Sequence, residues 1–490
     1  MEALKDDVTH YQTDFPVQAA PQSTAYRFKK FIQRNTAATV LSTIAATALI
    51  GGLITTSILY KKAEIERAHA DTRFDETRDL ANFMMFDLFD RLVDIDGTTS
   101  LQESVANKSK VYLETLSKTP RSTSQLQFEL AQGLHRLATI SGGPDKNIGQ
   151  PTSATALYTQ SMDEFNRLLA NYEADPNFMD AYLEAMDDYG FFAFMALDDG
   201  KLTSEITEDF DTVIQGMINK YPEKLNYRMR RVAMLGLRGE NFGWLGEFDA
   251  GRKILDEALQ VAKKAEDKFG IDPDIQARMA RIYKAYSELE HKAGLQDLGN
   301  QELAVKYADK GIALLRGIEG DISLPQRRGN EENLFYLNYS KTVAYQAIPN
   351  YHKSAETALE ALEIINRLID LNPDNFSFKR NKYYLENALA QTHVELGDNL
   401  QAQNTSKMAM SSVSDALEAD KNSPMILTDY ATILGESAMV FERTDGRVKS
   451  CELITESLEV FEKLTERQEI NAYHQDVIIK KLKITQLEVC

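Results

Sequence analysis

Cysteine and tryptophan are scarce in this chain, proline is infrequent, and each shortage excludes something. Among 490 residues there are 2 cysteines, 1 tryptophan, 12 prolines and 25 glycines. Cys451 and Cys490 have no pairable spacing motif, so a disulfide framework and a metal knuckle are both unsupported, and two free thiols are expected. So few helix breakers, in long stretches rich in Ala, Leu, Glu, Lys and Gln with no sustained period-two alternation, leave no place that requires a strand. The expected class is all-α.

Catalytic constellations are missing too. The histidines His10, His69, His135, His291, His352, His393 and His474 stand apart, none in a metal-ligand spacing, and each reads as an ordinary helix residue. Asp94, Asp96 and Gly97 resemble the start of a calcium loop, but the later ligands are absent, so a helix N-cap leading into 98–118 is expected. There is no P-loop and no nucleophile elbow. Trp244, beside the turn at Gly246 and next to Phe242, is read as hairpin core. The expectation is a non-enzyme with no cofactor, no metal and no catalytic residue; protein-binding residues cannot be named from the sequence.

Positive charge is in short supply as well: 55 Lys and Arg face 74 Asp and Glu, a net charge of -19. Nucleic acid is therefore not an expected partner, because phosphate binding needs the opposite sign. An acidic surface keeps an elongated protein soluble and steers basic partners.

What is present begins with Thr36–Tyr60, 25 residues without a charge, among them Val40, Leu41, Ile44, Leu49, Ile50, Leu53, Ile54, Ile58 and Leu59. At about 1.5 Å per residue the stretch spans a hydrocarbon core, and it is too long and too far from residue 1 for a cleaved signal segment. Residues 36–60 are thus the expected transmembrane helix. Basic residues flank both ends, Arg27, Lys29, Lys30 and Arg34 before it and Lys61, Lys62, Arg67, Arg73 and Arg78 after it, so charge alone does not orient it. Ala48, Gly52 and Thr56, and likewise Thr47, Gly51 and Thr55, form small-residue stripes that admit a homodimer in the membrane. Residues 61–93 read as one helix whose far end turns apolar through Phe83, Met84, Phe86, Phe89 and Leu92, a face suited to packing on the first helical hairpin beyond it or to pairing two protomers.

Farther along the chain the prolines form a ladder. Pro120, Pro176, Pro222, Pro273, Pro325, Pro373 and Pro424 recur every 46 to 56 residues, and Gly143, Gly200, Gly246, Gly299, Asn350, Gly397 and Gly446 sit about halfway between. Each rung reads as two helices of roughly 20 residues with a turn between them. A small residue comes after the turn at Ala304, Ala355, Ala402 and Cys451, with Ala250 nearly in register, allowing close helix packing. Leu396-Gly397-Asp398 and Leu371-Asn372-Pro373-Asp374 resemble tetratricopeptide repeats, although the period is longer than the usual one. About seven hairpins over 119–490, with a terminal helix at 471–490 as cap, should stack into a solenoid whose groove takes protein or peptide ligands. The insertion 141–153 is expected to be a surface loop.

Three further stretches carry a family resemblance. They are Glu2 to Asn35, with Leu4-Lys5-Asp6-Asp7-Val8, Phe15-Pro16-Val17 and Tyr26-Arg27; Arg73-Phe74 through Arg78-Asp79-Leu80-Ala81-Asn82 to Gly97-Thr98-Thr99; and Leu126 to Pro176, with Asn147-Ile148-Gly149. In that order the chain resembles bacterial transmembrane serine/threonine protein kinases that carry tetratricopeptide repeats outside the cytoplasm. The resemblance implies a cytoplasmic 1–35, ending a kinase C-lobe and linking to the membrane, helices over 61–118 near the membrane, and an extracytoplasmic solenoid on the bacterial inner membrane. No Gly-rich phosphate loop, H-R-D or D-F-G is present, so the chain as written does not transfer phosphate. The expected function is the sensor or scaffold module of a kinase-type receptor, or, alternatively, a stand-alone envelope scaffold.

Overall fold

A computed structural model describes residues 1–93, 95, 98–118, 123–143, 147–296, 300–318, 322–444, 446–467, 470 and 474–490. The expected cap at Asp94, Asp96 and Gly97, and the ladder residues Pro120 and Gly299, lie outside them. No strand occurs among the described residues. They divide into two units, 1–77 and 78–490.

The first unit holds α1 (Glu2–Gln12), α2 (Thr24–Arg34) and most of α3 (Thr36–Asn82). Asp7 accepts the backbone N–H groups of Gln18 and Ala19, at 2.6 and 3.0 Å, and Ser23 caps α2 through the Tyr26 N–H. α3 is long and apolar enough to cross a membrane. Its hydroxyls suit such a medium: Thr39, Thr43 and Thr47 each donate to the carbonyl four residues earlier, so their own donors are met within the helix. α3 runs on past Tyr60 without interruption, since the charged residues that follow are good helix formers and no glycine or proline intervenes.

In the second unit the end of α3 passes through a π-helical turn, Phe83–Leu88, into α4 (Phe89–Val93), with α5 (Thr99–Ser117) next. Ala81, Met85, Phe89 and Leu92 share one face and are buried. The wider π turn leaves a carbonyl for other donors: Arg136 bonds Met85 O at 2.8 Å and lies over Phe86 and Phe89, while Arg78 forks onto Glu129. The apolar end of this helix therefore packs on the first hairpin.

Seven hairpins make up the rest: α6 (Ser124–Gly142) with α7 (Pro151–Tyr172), α8 (Pro176–Met195) with α9 (Gly200–Lys220), and α10 (Leu225–Trp244) with α11 (Phe248–Phe269). Then come α12 (Pro273–Gln296) with α13 (Gln301–Arg316), α14 (Leu324–Ala347) with α15 (Tyr351–Leu371), α16 (Phe376–Leu396) with α17 (Asn399–Ala419), and α18 (Pro424–Arg443) with α19 (Arg447–Glu466). One feature recurs in all seven. The fourth residue of the second helix, Ala154, Thr203, Gly251, Ala304, Ser354, Ala402 or Ser450, is small and buried, and the residues four and seven positions further on are buried with it. A small side chain there lets the two helices approach; a Cβ on Gly251 would lie 3.0 Å from the Gly239 carbonyl oxygen of α10, and 2.4 Å from Leu289 Cδ1 of the next hairpin. Ala304 and Ala402 fill this role as expected, but Ser354, Ser450 and Gly251 replace Ala355, Cys451 and Ala250. Asn350 and Gly446 are N-caps, one residue nearer the helix than a terminator such as Gly397 at φ 80°.

α20 (Ile479–Val489) closes the last hairpin, burying Ile479, Leu482 and Val489, while Arg447 binds the carbonyls of Glu488 and Val489. Here the free-thiol expectation fails. Cys451 and Cys490 form a disulfide, their Cα atoms 5.2 Å apart, because α20 folds back along α19 and brings the distant residues together.

Candidate functional site

First helices of hairpins use one face for their partners and present the other to the inner side of the solenoid. That inner side is narrow, since hairpins far apart in sequence meet across it. Phe376 N–H bonds Asn147 O at 2.8 Å, Asn147 Nδ2 bonds Ser377 Oγ at 2.7 Å, and Arg380 reaches Met195 O at 3.3 Å. His474 lies 3.9 Å from Asp198, and Ser100 bonds Asp374. The surface loop expected at 141–153 is thus corrected: Ser141 and Gly142 end α6, Pro151 starts α7, and Asn147 is buried against α16. Gly149, at φ +76°, is needed there because a Cβ would strike the Phe376 ring at 2.6 Å. A cavity of about 30 Å³ remains beside it, lined by Gly143, Phe192, Tyr336, Phe376 and Arg380.

The inner surface is polar. From α12 come Arg278, Arg281, Lys284, Glu288 and Lys292, at the three- and four-residue spacing that keeps them on one face. Lys284 bonds Glu240 at 3.0 Å and Glu288 at 3.2 Å; burial disfavours its charge, yet those two carboxylates hold its pKa above the ordinary lysine value. Lys292 lies 3.3 Å over the Trp244 ring. Burial pushes the Lys292 pKa down to about 8, against the pull of Glu288 and Glu240. Trp244 is not hairpin core. It is 37% exposed, edge-on to Phe194 and under a cation. Nearby, burial raises Asp198 to about 6 and lowers His474 to about 4.

Toward the other end, Asp429 accepts from Arg380 Nε and Nη2 at 2.6 and 2.9 Å and from the hydroxyls of Tyr383 and Tyr384. Asn387 and Gln391 donate to Glu436, and Asn381 to Tyr336 at 2.9 Å. These networks pair their donors and acceptors with one another inside the winding and make it rigid.

Two further histidines have side-chain partners: His135 pairs with Asp188 at 2.9 Å and His291 with Gln301 at 2.7 Å. Among the described residues no group of three His, Cys, Asp or Glu side chains could hold a metal ion. One grouping escapes a reading of the sequence, Arg230 of α10 with Arg278 and Arg281 of α12. Its only local trace is the i, i+3 pair on α12.

No protein-family model and no curated protein matches the chain. Solved structures do. It is similar to BtubC (BKLC) from P. vanneervenii, at 13% identity and a TM-score of 0.40, over 55% of this chain and 92% of that one. It is similar to a Rap protein complexed with competence and sporulation factor, at 11% identity and a TM-score of 0.42, over 86% and 100%. A third likeness, at 13% identity and 0.34, is to a signal transduction ATPase with a tetratricopeptide repeat sensor from Pyrococcus horikoshii, over 79% of this chain and 52% of that one.

Proposed function

We propose that the protein is a membrane-anchored binding module, the sensor or scaffold part of a serine/threonine-kinase-type receptor, whose inner solenoid face engages protein or peptide partners. The observation that carries this reading is the polar inner face itself. The first helices α10, α12, α16 and α18 place arginines, lysines, glutamates and tyrosines along a narrow winding, an arrangement suited to side-chain recognition.

Two features support the anchored, extracytoplasmic placement. α3 supplies the span, and a disulfide belongs to an oxidising compartment such as the periplasm, where thiols are not kept reduced. The resemblance of the first 35 residues to the end of a kinase lobe adds the orientation, N-terminus inside.

Protease treatment of spheroplasts tests the proposal. External protease should digest the solenoid and leave a small protected fragment carrying the N-terminus. A solenoid that stays intact until the membrane is permeabilised overturns the orientation and the receptor role with it.

A further inference from the structure

The C-terminal end of the array carries an apolar ridge that its own chain leaves bare. α20 runs antiparallel to α19 in a fixed register: a disulfide joins Cys451 to Cys490, and Gln486 donates to Thr455 at 3.4 Å, each four residues in from its cysteine. Ile479, Leu482 and Val489 enter the core of the last hairpin. On the opposite face of α20, Ile484 and Leu487 are 61% and 87% exposed, and Val448 at the start of α19 is 78% exposed. Beside them lies an open groove of about 700 Å³, lined by Val448, Val489 and the disulfide together with Glu456 and Glu459 of α19.

The two helices bear opposite charge here. Lys480 and Lys483 share the exposed face of α20 with Ile484 and Leu487, at three- and four-residue spacing. Counted from the disulfide, Lys483 is seven residues along α20, about 10 Å, while Glu456 and Glu459 are five and eight residues along α19, about 8 and 12 Å. The lysine is therefore level with the two carboxylates. Neighbouring charges leave this match intact. Lys449 is taken by Glu452 at 3.1 Å, Lys463 stands a full turn beyond Glu459, and Glu488 lies past Leu487, at the end of α20 away from the lysines. The Tyr430 hydroxyl donates to Glu456, which favours its anionic form.

Such a surface is its own complement. A second copy turned about a two-fold axis parallel to α20 lays its α20 alongside the first in the same direction. Ile484 and Leu487 then meet their counterparts, and Lys480 and Lys483 of each copy stand level with Glu456 and Glu459 of the other, as flanking charges do in paired helices. A different partner would have to present both patches in this one arrangement, which the chain already does. Elsewhere a net charge of -19 keeps two copies apart, so pairing is confined to this end.

We propose that this face is a homodimer interface, closed about a two-fold axis along α20 by Ile484, Leu487 and Val448 and by the reciprocal Lys480, Lys483 to Glu456, Glu459 pairs. It is independent of the ligand and of the membrane orientation proposed above.

The test uses the full chain in detergent micelles. In an equal mixture of unlabelled and nitrogen-15 copies, a carbodiimide, which condenses a lysine amine with an adjacent carboxyl, should yield peptides joining α20 of one isotope to α19 of the other. Sedimentation should show a dimer whose Kd rises at least tenfold in K480E/K483E and again in E456K/E459K. Mixing those two variants should restore the original affinity, since every contact across the axis is once more lysine against glutamate; this readout reports pairing and not folding. Leu487→Asp, at a side chain almost wholly in solvent, should weaken the dimer as much with an unchanged thermal melt. A monomeric parent chain, a mixture no tighter than either variant alone, or a dimer indifferent to all three changes, as one held by the small-residue stripes of α3 would be, overturns the proposal.

Discussion

Asp429 receives four donors and is 1% exposed, so its loss strips the partner from a buried cation and two buried hydroxyls at once. Asp429→Ala leaves the Arg380 charge without its counter-ion and is expected to lower stability by about 3 to 5 kcal/mol in urea titration. Glu386 behaves in the opposite sense. Both its carboxylate oxygens are buried without a hydrogen bond, and burial raises its pKa from 4.5 to about 7, Lys382 opposing. The folded form holds that proton more tightly than the unfolded chain does. Stability from this group is therefore full below about pH 4.5 and is lost as pH rises through about 7. Glu386→Gln should raise the thermal midpoint at pH 8 and leave it unchanged at pH 4.5; a constant difference across that range would show that Glu386 does not titrate as described.

At the scale of elements, the small residue at the fourth position of every second helix sets the hairpin geometry. Gly251→Val would place branched carbons against Leu289 and the Gly239 carbonyl, and overpacking of this kind is expected to remove about 1 to 3 kcal/mol by chemical denaturation. The last hairpin depends on its cross-link. A closed loop of 39 residues corresponds to about 4 kcal/mol of chain entropy, so Cys451→Ser should lower the melting temperature, abolish the mobility change on reduction in gels, and release α20 to proteases.

Much of this layer was legible in sequence. Pro176, Pro273, Pro325 and Pro424 stand in the first two positions of helices, while Pro222 and Pro373 sit in the turns just before them. Both placements come from the fixed φ and missing N–H of proline, which act locally. The disulfide was not legible, because its pairing depends on α20 folding back on α19, and no spacing rule records that. The Arg230, Arg278 and Arg281 cluster was hidden for a similar reason. Two helices from successive hairpins contribute to it, and a charged residue on a helix reads as solvated until the winding shows which face is inside.

For the whole molecule the decisive contacts are those between distant hairpins, and they left no trace in composition or periodicity. Asn147 and Phe376 belong to different ends of the repeat array, so only the curvature of the stack brings them together. Replacing Asn147 and Gly149 by a Ser-Ala pair should leave helix content unchanged but raise hydrogen exchange at the Phe376 amide by more than tenfold. Unaltered protection there would mean that α16 is held by its neighbours alone.

An open repeat array frays from its ends, each unit depending only on those beside it. The meeting of the Asn147 segment with α16 changes that arithmetic. With the first hairpin resting on the sixth, melting one end loosens the other, and the array should unfold in a sharper step than its number of nearest-neighbour interfaces implies. The same contact adds long-range closure to an otherwise local topology, so the final docking of the winding should be the slow phase of refolding, well behind helix formation.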